Sequence, residues 1–343
     1  MPDRRPLRIL ITRLSAIGDC ILTVPVLNAL RDHFPNAFLS WVVESTTAPL
    51  LEGHAALDQL IVAQRDWLKR PAETWSLRKR LRALDFDVTI DPQSLTKSSM
   101  LAWLSGAPQR IGFAGEDGRE MSRWLNNERV ARTQPHMVDR SLELLQPLGI
   151  KRTSPRFDLP RYADAEQKMS AYLQSGSLHQ EFAILNMGAG WPSKLWPGER
   201  YGEVAHFLGK SYSLPSLIIW AGEEERARAE LCADRAAGHA VVAPTTSLTE
   251  LASLIRRSTL FVGSDTGPLH LAAGLATPCV GMYGPTLPEI CGPYGEGHMA
   301  LQQVYHSGGH RQRRAAENEA MRAISAKDVC DACSTMLRRE AAA

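Results

Sequence analysis

The feature that most constrains this chain is an alternation, made twice, of short apolar runs with longer stretches of helical period. In the first half, strand-like Leu7 to Thr12 leads to a helix from about Cys20 to Phe34 and then to strand-like Leu39 to Glu44. The pattern continues with Leu57 to Val62, a charged helix around Glu73 to Leu84, strand Val88 to Ile90, helix Thr96 to Leu104, strand Arg110 to Phe113 and helix Met137 to Leu148. Apolar runs joined through helices generate a parallel sheet covered on both faces. Between Gly149 and Asp164 the period is lost in KRTSPRFDLPRYAD, rich in proline and polar residues, which reads as a linker. The alternation then resumes: strands at Phe182 to Asn186, Ser216 to Trp220, Ala240 to Val242, Leu260 to Gly263 and Cys279 to Met282, with helices at Glu199 to Leu208, Glu223 to Ala236, Leu248 to Arg256 and Pro268 to Leu275. A less regular tail, Gly284 to Glu319, precedes a last helix from about Ala326 to Arg339.

Two α/β domains follow, since 343 residues exceed what one core supports and domains run to about 150 residues each. Their expected bounds are 1–163 and 164–322, with a C-terminal helix in 323–343 that packs back on the N-terminal domain. No sequence repeat links the halves. With 44% hydrophobic and 22% charged residues the chain is neither disordered nor fibrous, and a net charge of +2 identifies no partner. Basic residues do cluster, at Arg65, Lys69 and Arg70, at Arg78 to Arg82 and at Arg311 to Arg314. Such clusters suit an anionic ligand or membrane face, or simply a solvated surface. Six scattered cysteines give no disulfide framework, and Cys330 with Cys333 falls within a helical stretch, where packing explains the pair better than metal or redox chemistry. The N-terminus lacks the long apolar stretch of a signal peptide, and no segment has the continuous apolar length of a membrane span, so the cytoplasm is the expected compartment.

Ligands of open α/β sheets bind beyond the carboxyl ends of the strands, so three strand-to-helix loops draw attention. In RLSAIGDC, Gly18 allows close backbone approach and Asp19 sits where the next helix begins. Two readings fit Asp19: an N-cap accepting from first-turn amides, or a general base facing an interdomain cleft. The residues alone favour the cap. In NMGAGWPSKLWP, Gly188 and Gly190 expose backbone amides and Lys194 offers a cation that is either a phosphate ligand or a solvated surface charge. Trp191 and Trp196 either stack on a ligand or, more naturally beside a turn, pack inside. In FVGSDTGPLHLAAGL, Ser264, Asp265, Thr266 and Gly267 end a strand and Pro268 opens a helix whose free amides suit a diphosphate. His270 there is either structural or part of that site. The missing G-x-G-x-x-G argues against a NAD-dependent dehydrogenase.

RILITRLSAIGDCILTVPVLNALRDHFP and FVGSDTGPLHLAAGLATPCVGMYGPT together resemble the bacterial lipopolysaccharide heptosyltransferases of glycosyltransferase family 9, as do VTIDPQSLTKSSMLAWLSGAPQRIGF, HMVDRSLELLQPLG and WPGERY. QRDWLK, DPQSLTKS and GREMSRWL look closer to the first heptosyltransferase of the inner core than to the second. The resemblance implies a GT-B architecture: two Rossmann-like, doubly wound domains facing a central cleft, acceptor in the N-terminal one and nucleotide sugar in the C-terminal one. It implies inverting transfer of L-glycero-D-manno-heptose from ADP-heptose to the Kdo region of a lipid A precursor, with no cofactor and no metal. Carried over by position, Asp19 is the base, which reverses the preference for a cap. The donor falls to Gly188, Ala189, Gly190, Lys194, Glu223, Glu224, Thr246 and the run Ser264, Asp265, Thr266, Gly267, Pro268, Leu269 and His270. Within that set Glu223 or Glu224 reaches the ribose and Thr246 lies beside adenine. The anionic glycolipid acceptor falls to Gly18, Arg65, Lys69, Lys97 and Arg119. Closure about the linker would exclude water. Peripheral membrane association follows from the acceptor class, and no nucleic-acid partner is expected. This chain departs from relatives in having Ala189, Gly190, Trp191 and Pro192 before the lysine, so donor contacts there fall to backbone, and in lacking their cysteines in HSGGHRQRRAAENEAMRAIS. Two other readings keep the fold: a nucleotide-sugar epimerase, which would need no acceptor, and a non-catalytic nucleotide-sugar-binding protein, against which the presence of both Asp19 and Lys194 argues.

Overall fold

Strand β1 (Arg8–Thr12) is buried over Ile9 to Thr12 because it lies inside a sheet, with β2 (Phe38–Glu44) on one side and β4 (Val88–Asp91) on the other. Ile9 stands in register with Leu39 and with Val88. Adding β3 (Gln59–Ala63), β5 (Gln109–Phe113) and β6 (Glu128–Val130) gives a parallel sheet of order β3-β2-β1-β4-β5-β6. The chain leaves β1 toward one edge and returns to its other side at β4, so the loops after β1 and β4 flank the point where strand order reverses. This sheet belongs to the unit Met1–Pro160 of the computed structural model, which describes residues 5–176, 178 and 181–341, excluding the side chains of 340 and 341. The ends of the expected domains at 1–4 and 342–343 lie outside the described residues.

The second unit, Arg161–Ala343, repeats the plan. Its strands are β7 (Ala183–Asn186), β8 (Ser216–Ile219), β9 (Ala240–Val242), β10 (Leu260–Ser264), β11 (Cys279–Met282) and β12 (His298–Leu301), all parallel in the order β12-β11-β10-β7-β8-β9. Order reverses between β7 and β10. Both units are thus the doubly wound, Rossmann-like α/β domains expected from the sequence, divided three residues earlier than expected.

Several expectations need correction. The helix expected over Cys20 to Phe34 is two helices, Ile17–Ile21 and Val24–His33, because Pro25 near the start of the second has no N–H to continue the first. Helix Met137–Glu143 ends early and a 3₁₀ turn, Gln146–Leu148, follows around Pro147. A helix, Ala163–Ser175, begins at the end of the expected linker. The last helix, Ala326–Ala341, packs within the second unit: Val329, Ala332, Cys333 and Met336, spaced three and four apart, enter the core that holds Tyr201, Val280 and Met282. Cys333 is fully buried and Cys330 partly so, both free thiols, and burial pushes Cys330 up to about 11. Packing therefore accounts for the C-x-x-C. Among the described residues no three metal-ligating side chains cluster, and no helix is long and apolar enough to cross a membrane.

Candidate functional site

The first cluster forms where β1 ends. Arg13, whose side chain is 7% exposed, places a guanidinium nitrogen 2.6 Å from Asp19 Oδ2, while its other terminal nitrogen donates to the Pro92 carbonyl at 3.1 Å. The Arg13 carbonyl accepts from Trp41 Nε1 at 2.9 Å, so this residue ties β1 to β2 and to the loop after β4. Asp19 is the third residue of helix Ile17–Ile21 and is not its N-cap, which is Ala16. The Ala16 N–H reaches back to Asp19 Oδ2 at 3.3 Å, the return half of a capping box. Both contacts fall on Oδ2, leaving Oδ1 uncommitted among the described residues on a side chain 37% exposed. Gly18 is buried in the same helical turn. Arg140, on Met137–Glu143, lies within electrostatic reach of Asp19; its burial and the nearby Arg132 lower its pKa.

The four basic residues expected to meet an acceptor all lie in loops or first turns beyond the carboxyl ends of β3, β4 and β5, and all are exposed. Lys97 Nζ donates to the Arg65 carbonyl at 3.3 Å, and the Arg119 N–H donates to the Ser94 carbonyl at 3.2 Å, so three of the loops are stitched together. Lys69 ends the 3₁₀ turn Trp67–Lys69. The loop after β4 is held from beneath by Asp91, fully buried, which accepts from the Ser94 N–H at 2.9 Å and Asn126 Nδ2 at 3.0 Å. Burial pushes its pKa up to about 6 against the pull of those hydrogen bonds.

The second cluster forms at the reversal point of the second sheet. Lys194 Nζ lies 2.6 Å from Asp265 Oδ2, with side chains 12% and 6% exposed. His270 Nε2 lies 3.1 Å from Asp265 Oδ1, and Thr286 Oγ1 donates to Oδ2 at 2.7 Å. Burial alone would raise the Asp265 pKa, but the His270 hydrogen bond and the Lys194 charge outweigh it and hold the carboxyl below the usual range. Both Asp265 oxygens are thus occupied, so this residue orients Lys194 and His270. The face of Trp191 lies 4.4 Å from Lys194 Nζ, so the ammonium is held between an aromatic ring and a carboxylate. Trp196 instead goes inside, donating to the Ile324 carbonyl at 2.9 Å and packing on Tyr201.

Helix Gly267–Gly274 starts one residue before Pro268, with Ser264 closing β10 and Thr266 as N-cap. The Thr266 hydroxyl does not cap it: Thr266 Oγ1 accepts from Asn186 Nδ2 at 2.9 Å and donates to the Ser264 carbonyl at 3.1 Å. Among the described residues the first-turn amides of Gly267 and Leu269 have no side-chain cap, at the positive end of the helix dipole, an arrangement that suits an anion. A depression of about 370 Å³ in the same unit is lined by Ala189, Pro192, Leu195, Ala221, Gly222, Glu223, Glu224, Glu225 and Arg228. Gly222 caps helix Glu223–Arg235 with φ 79°, a left-handed conformation that glycine takes without strain. Gly188 has a different reason to be glycine, because a Cβ there would stand 2.6 Å from Glu225 Oε2. Gly190 meets nothing. Thr246 lies half-buried beyond β9, in a loop tied to β8 by Trp220 Nε1 donating to the Ala243 carbonyl at 2.7 Å.

Each unit thus gathers its own sequence-predicted residues at the carboxyl edge of its sheet. Sequence reading missed Arg13, Asp91, Asn186, Glu225 and Thr286. Arg13, Asp91, Asn186 and Thr286 stood within segments that already drew attention, whereas Glu225 lay outside them.

A family model described as glycosyltransferase family 9 (heptosyltransferase) matches residues 74–321. Lipopolysaccharide heptosyltransferase 1 of Escherichia coli K12 is 30% identical over 306 residues, covering 86% of this chain and 93% of that protein. The Pseudomonas aeruginosa protein of the same description is 31% identical over 314 residues, covering 86% of this chain and 83% of its own. The solved structure of E. coli heptosyltransferase WaaC with ADP-2-deoxy-2-fluoro heptose superposes with a TM-score of 0.76 at 27% identity, covering 96% of this chain and 99% of that one. A family match over well more than half the chain, on two sheets of the same winding, makes this chain a member of glycosyltransferase family 9, and so a glycosyltransferase.

Proposed function

We propose that this enzyme transfers L-glycero-D-manno-heptose from ADP-heptose to the Kdo region of a lipopolysaccharide precursor, with inversion, without metal or cofactor, at the cytoplasmic face of a membrane. The observation that carries the reading is the Lys194–Asp265–His270 cluster beside an uncapped helix N-terminus. That arrangement suits a diphosphate, and a relative of the same fold was solved with an ADP-heptose analogue.

Asp19 Oδ1 takes the proton of the acceptor hydroxyl while Arg13 and the Ala16 amide fix the carboxylate through Oδ2. The freed oxygen attacks the anomeric carbon on the face opposite the diphosphate, the bond to ADP breaks, and a single displacement inverts the centre. Lys194 and the amides of Gly267 and Leu269 receive the charge that develops on the leaving phosphate. Asp265 stays with Lys194 and His270 as their orienting anion. The depression beside Glu223 and Glu224 takes the nucleoside, with Thr246 toward the base and the Ala189–Gly190 backbone along the phosphates. Gly18, Arg65, Lys69, Lys97 and Arg119 serve the acceptor side, where exposed cations suit phosphates and carboxylates of a glycolipid.

Calorimetry with ADP, UDP and GDP, followed by transfer from ADP-heptose to a Kdo-bearing lipid A precursor with the product anomer read by NMR, tests this. Selective ADP binding and an inverted product are expected. Preference for UDP overturns the donor. Release of an altered sugar nucleotide without acceptor would mark an epimerase.

A further inference from the structure

Three of the eight tryptophans are left outside the fold, and all three lie on one flank of the first unit: Trp75 and Trp124, each 66% exposed, and Trp103, 48% exposed. Helix Pro71–Ala83 buries Leu77 and Leu81 in the core and turns Trp75 and Lys79 the other way, two positions off the buried pair on a period of 3.6. Helix Thr96–Ser105 likewise buries Leu101 and Leu104 and leaves Trp103 out. The two helices lie side by side, their inner leucines in one cluster and Arg82 Nε donating to the Leu104 carbonyl at 3.1 Å. On the far side of Thr96–Ser105 runs the segment ending in helix Ser122–Leu125, fastened by Thr96 N–H to Glu120 at 2.9 Å. It adds Met121, 45% exposed, and Trp124.

The same flank is strongly basic. Residues 64–83, 96–105 and 115–125, which carry this flank and the adjoining carboxyl edge, hold ten basic against five acidic side chains, four of the ten being Arg65, Lys69, Lys97 and Arg119 at that edge, whereas the whole chain carries only +2. Cations stand directly over the exposed rings, Lys79 Nζ 5.7 Å from the Trp75 centroid and the Arg123 guanidinium 4.3 Å from that of Trp124. Trp41, Trp196 and Trp220 spend their indole N–H groups on carbonyls. Indoles with an apolar body, an exposed polar edge and neighbouring cations are the chemistry of the boundary between headgroups and acyl chains.

We infer that this three-helix flank is a docking surface for an anionic phospholipid bilayer. The indoles of Trp75, Trp103 and Trp124 insert at the headgroup boundary while Arg78, Lys79, Arg80 and Arg123 bind lipid phosphates. Two signals, apolar insertion and charge, are needed because one alone holds a protein only marginally to a membrane. The flank adjoins the exposed Arg65, Lys69, Lys97 and Arg119 at the carboxyl edge of the sheet, so a docked protein would meet a lipid-anchored acceptor without leaving the surface. The inference deepens the glycolipid reading and rests on it for its biological sense, but vesicle binding is measured without donor or acceptor.

The full-length enzyme is sedimented with vesicles of phosphatidylethanolamine and phosphatidylglycerol, and with phosphatidylcholine vesicles as the neutral control. Binding to the anionic vesicles only, weakened by salt, with a blue shift of tryptophan emission, is expected. Trp75→Ser/Trp103→Ser/Trp124→Ser and Arg78→Glu/Lys79→Glu/Arg80→Glu should each lower the partition by at least about tenfold, the first removing the apolar part and the second the charge. Transfer to a delipidated, water-soluble acceptor should stay within about twofold of wild type in both, because all six residues lie outside the proposed site. Absence of anionic-vesicle binding, undiminished binding by the tryptophan variant, or capture of an acidic protein in place of vesicles would overturn the proposal. Vesicle binding without any transfer would instead count against the proposed function.

Discussion

Arg13 holds Asp19 from inside the first sheet: the buried guanidinium and the half-exposed carboxylate are 2.6 Å apart, and the arginine is itself pinned to the Pro92 carbonyl. A carboxylate gripped by one oxygen, with its other oxygen uncommitted among the described residues, has a fixed direction in which to accept a proton. Asp19→Asn is therefore expected to lower turnover by at least about 100-fold, with ADP affinity unchanged by calorimetry. Arg13→Gln should lower kcat by about tenfold or more through loss of orientation, again without touching ADP binding. Normal turnover in the first variant would remove Asp19 as the base.

Lys194 and Asp265 form the other buried pair, and breaking one partner leaves the remaining charge uncompensated. Asp265→Asn should cost about 3 kcal/mol in urea unfolding near neutral pH. The folded carboxyl lies below its ordinary 3.8, so its contribution is complete above that value and is lost only as pH falls through the depressed folded one. The gap between wild type and variant should thus stay constant from pH 7 to about 4 and close only in stronger acid. Lys194→Ala should weaken ADP binding by about tenfold or more.

Asp91 has the opposite sign. Its folded value of about 6 stands above the ordinary 3.8, so the protonated form favours folding fully below 3.8, and that gain is lost as pH rises through about 6. Stability should fall by about 3 kcal/mol across that window, and Asp91→Asn should abolish this part of the pH dependence in urea titrations at fixed pH values. A slope unchanged by the substitution would mean that another group titrates there.

Gly188→Ala places a methyl group against the Glu225 carboxylate, which accepts from the Ala221 N–H at 2.8 Å. Displacing Glu225 loosens the loop that carries Gly222 and Glu223. A stability loss of about 1 kcal/mol is expected. ADP affinity should fall with it, and calorimetry on the folded variant separates the two effects.

The winding of both domains was legible because buried parallel strands are nearly unbroken apolar runs, as in ILIT or FVGS. The edge strands β6, reading ERV, and β12, reading HMAL, were not, being short, polar or half-exposed. Asp19, Lys194 and the run from Ser264 to His270 stood out through small residues and charges at strand ends. What escaped was partnership across sequence. Asp91 meets Asn126, Thr286 meets Asp265 and Glu225 meets Gly188 only after the crossovers are laid down. No spacing rule reaches so far along a chain. The neighbours of the final helix were illegible for the same reason, since its apolar stripe shows that it packs but not against what.

The Lys194–Asp265 pair has one more consequence. With its ammonium already matched by a carboxylate and covered by the Trp191 ring, the pair presents little net charge to solution. Abundant small anions gain little by approaching it. On the proposed donor reading, a molecule that also engages the helix amides and the neighbouring depression would recover the cost of drawing Lys194 toward itself, which would favour a nucleotide sugar over free phosphate.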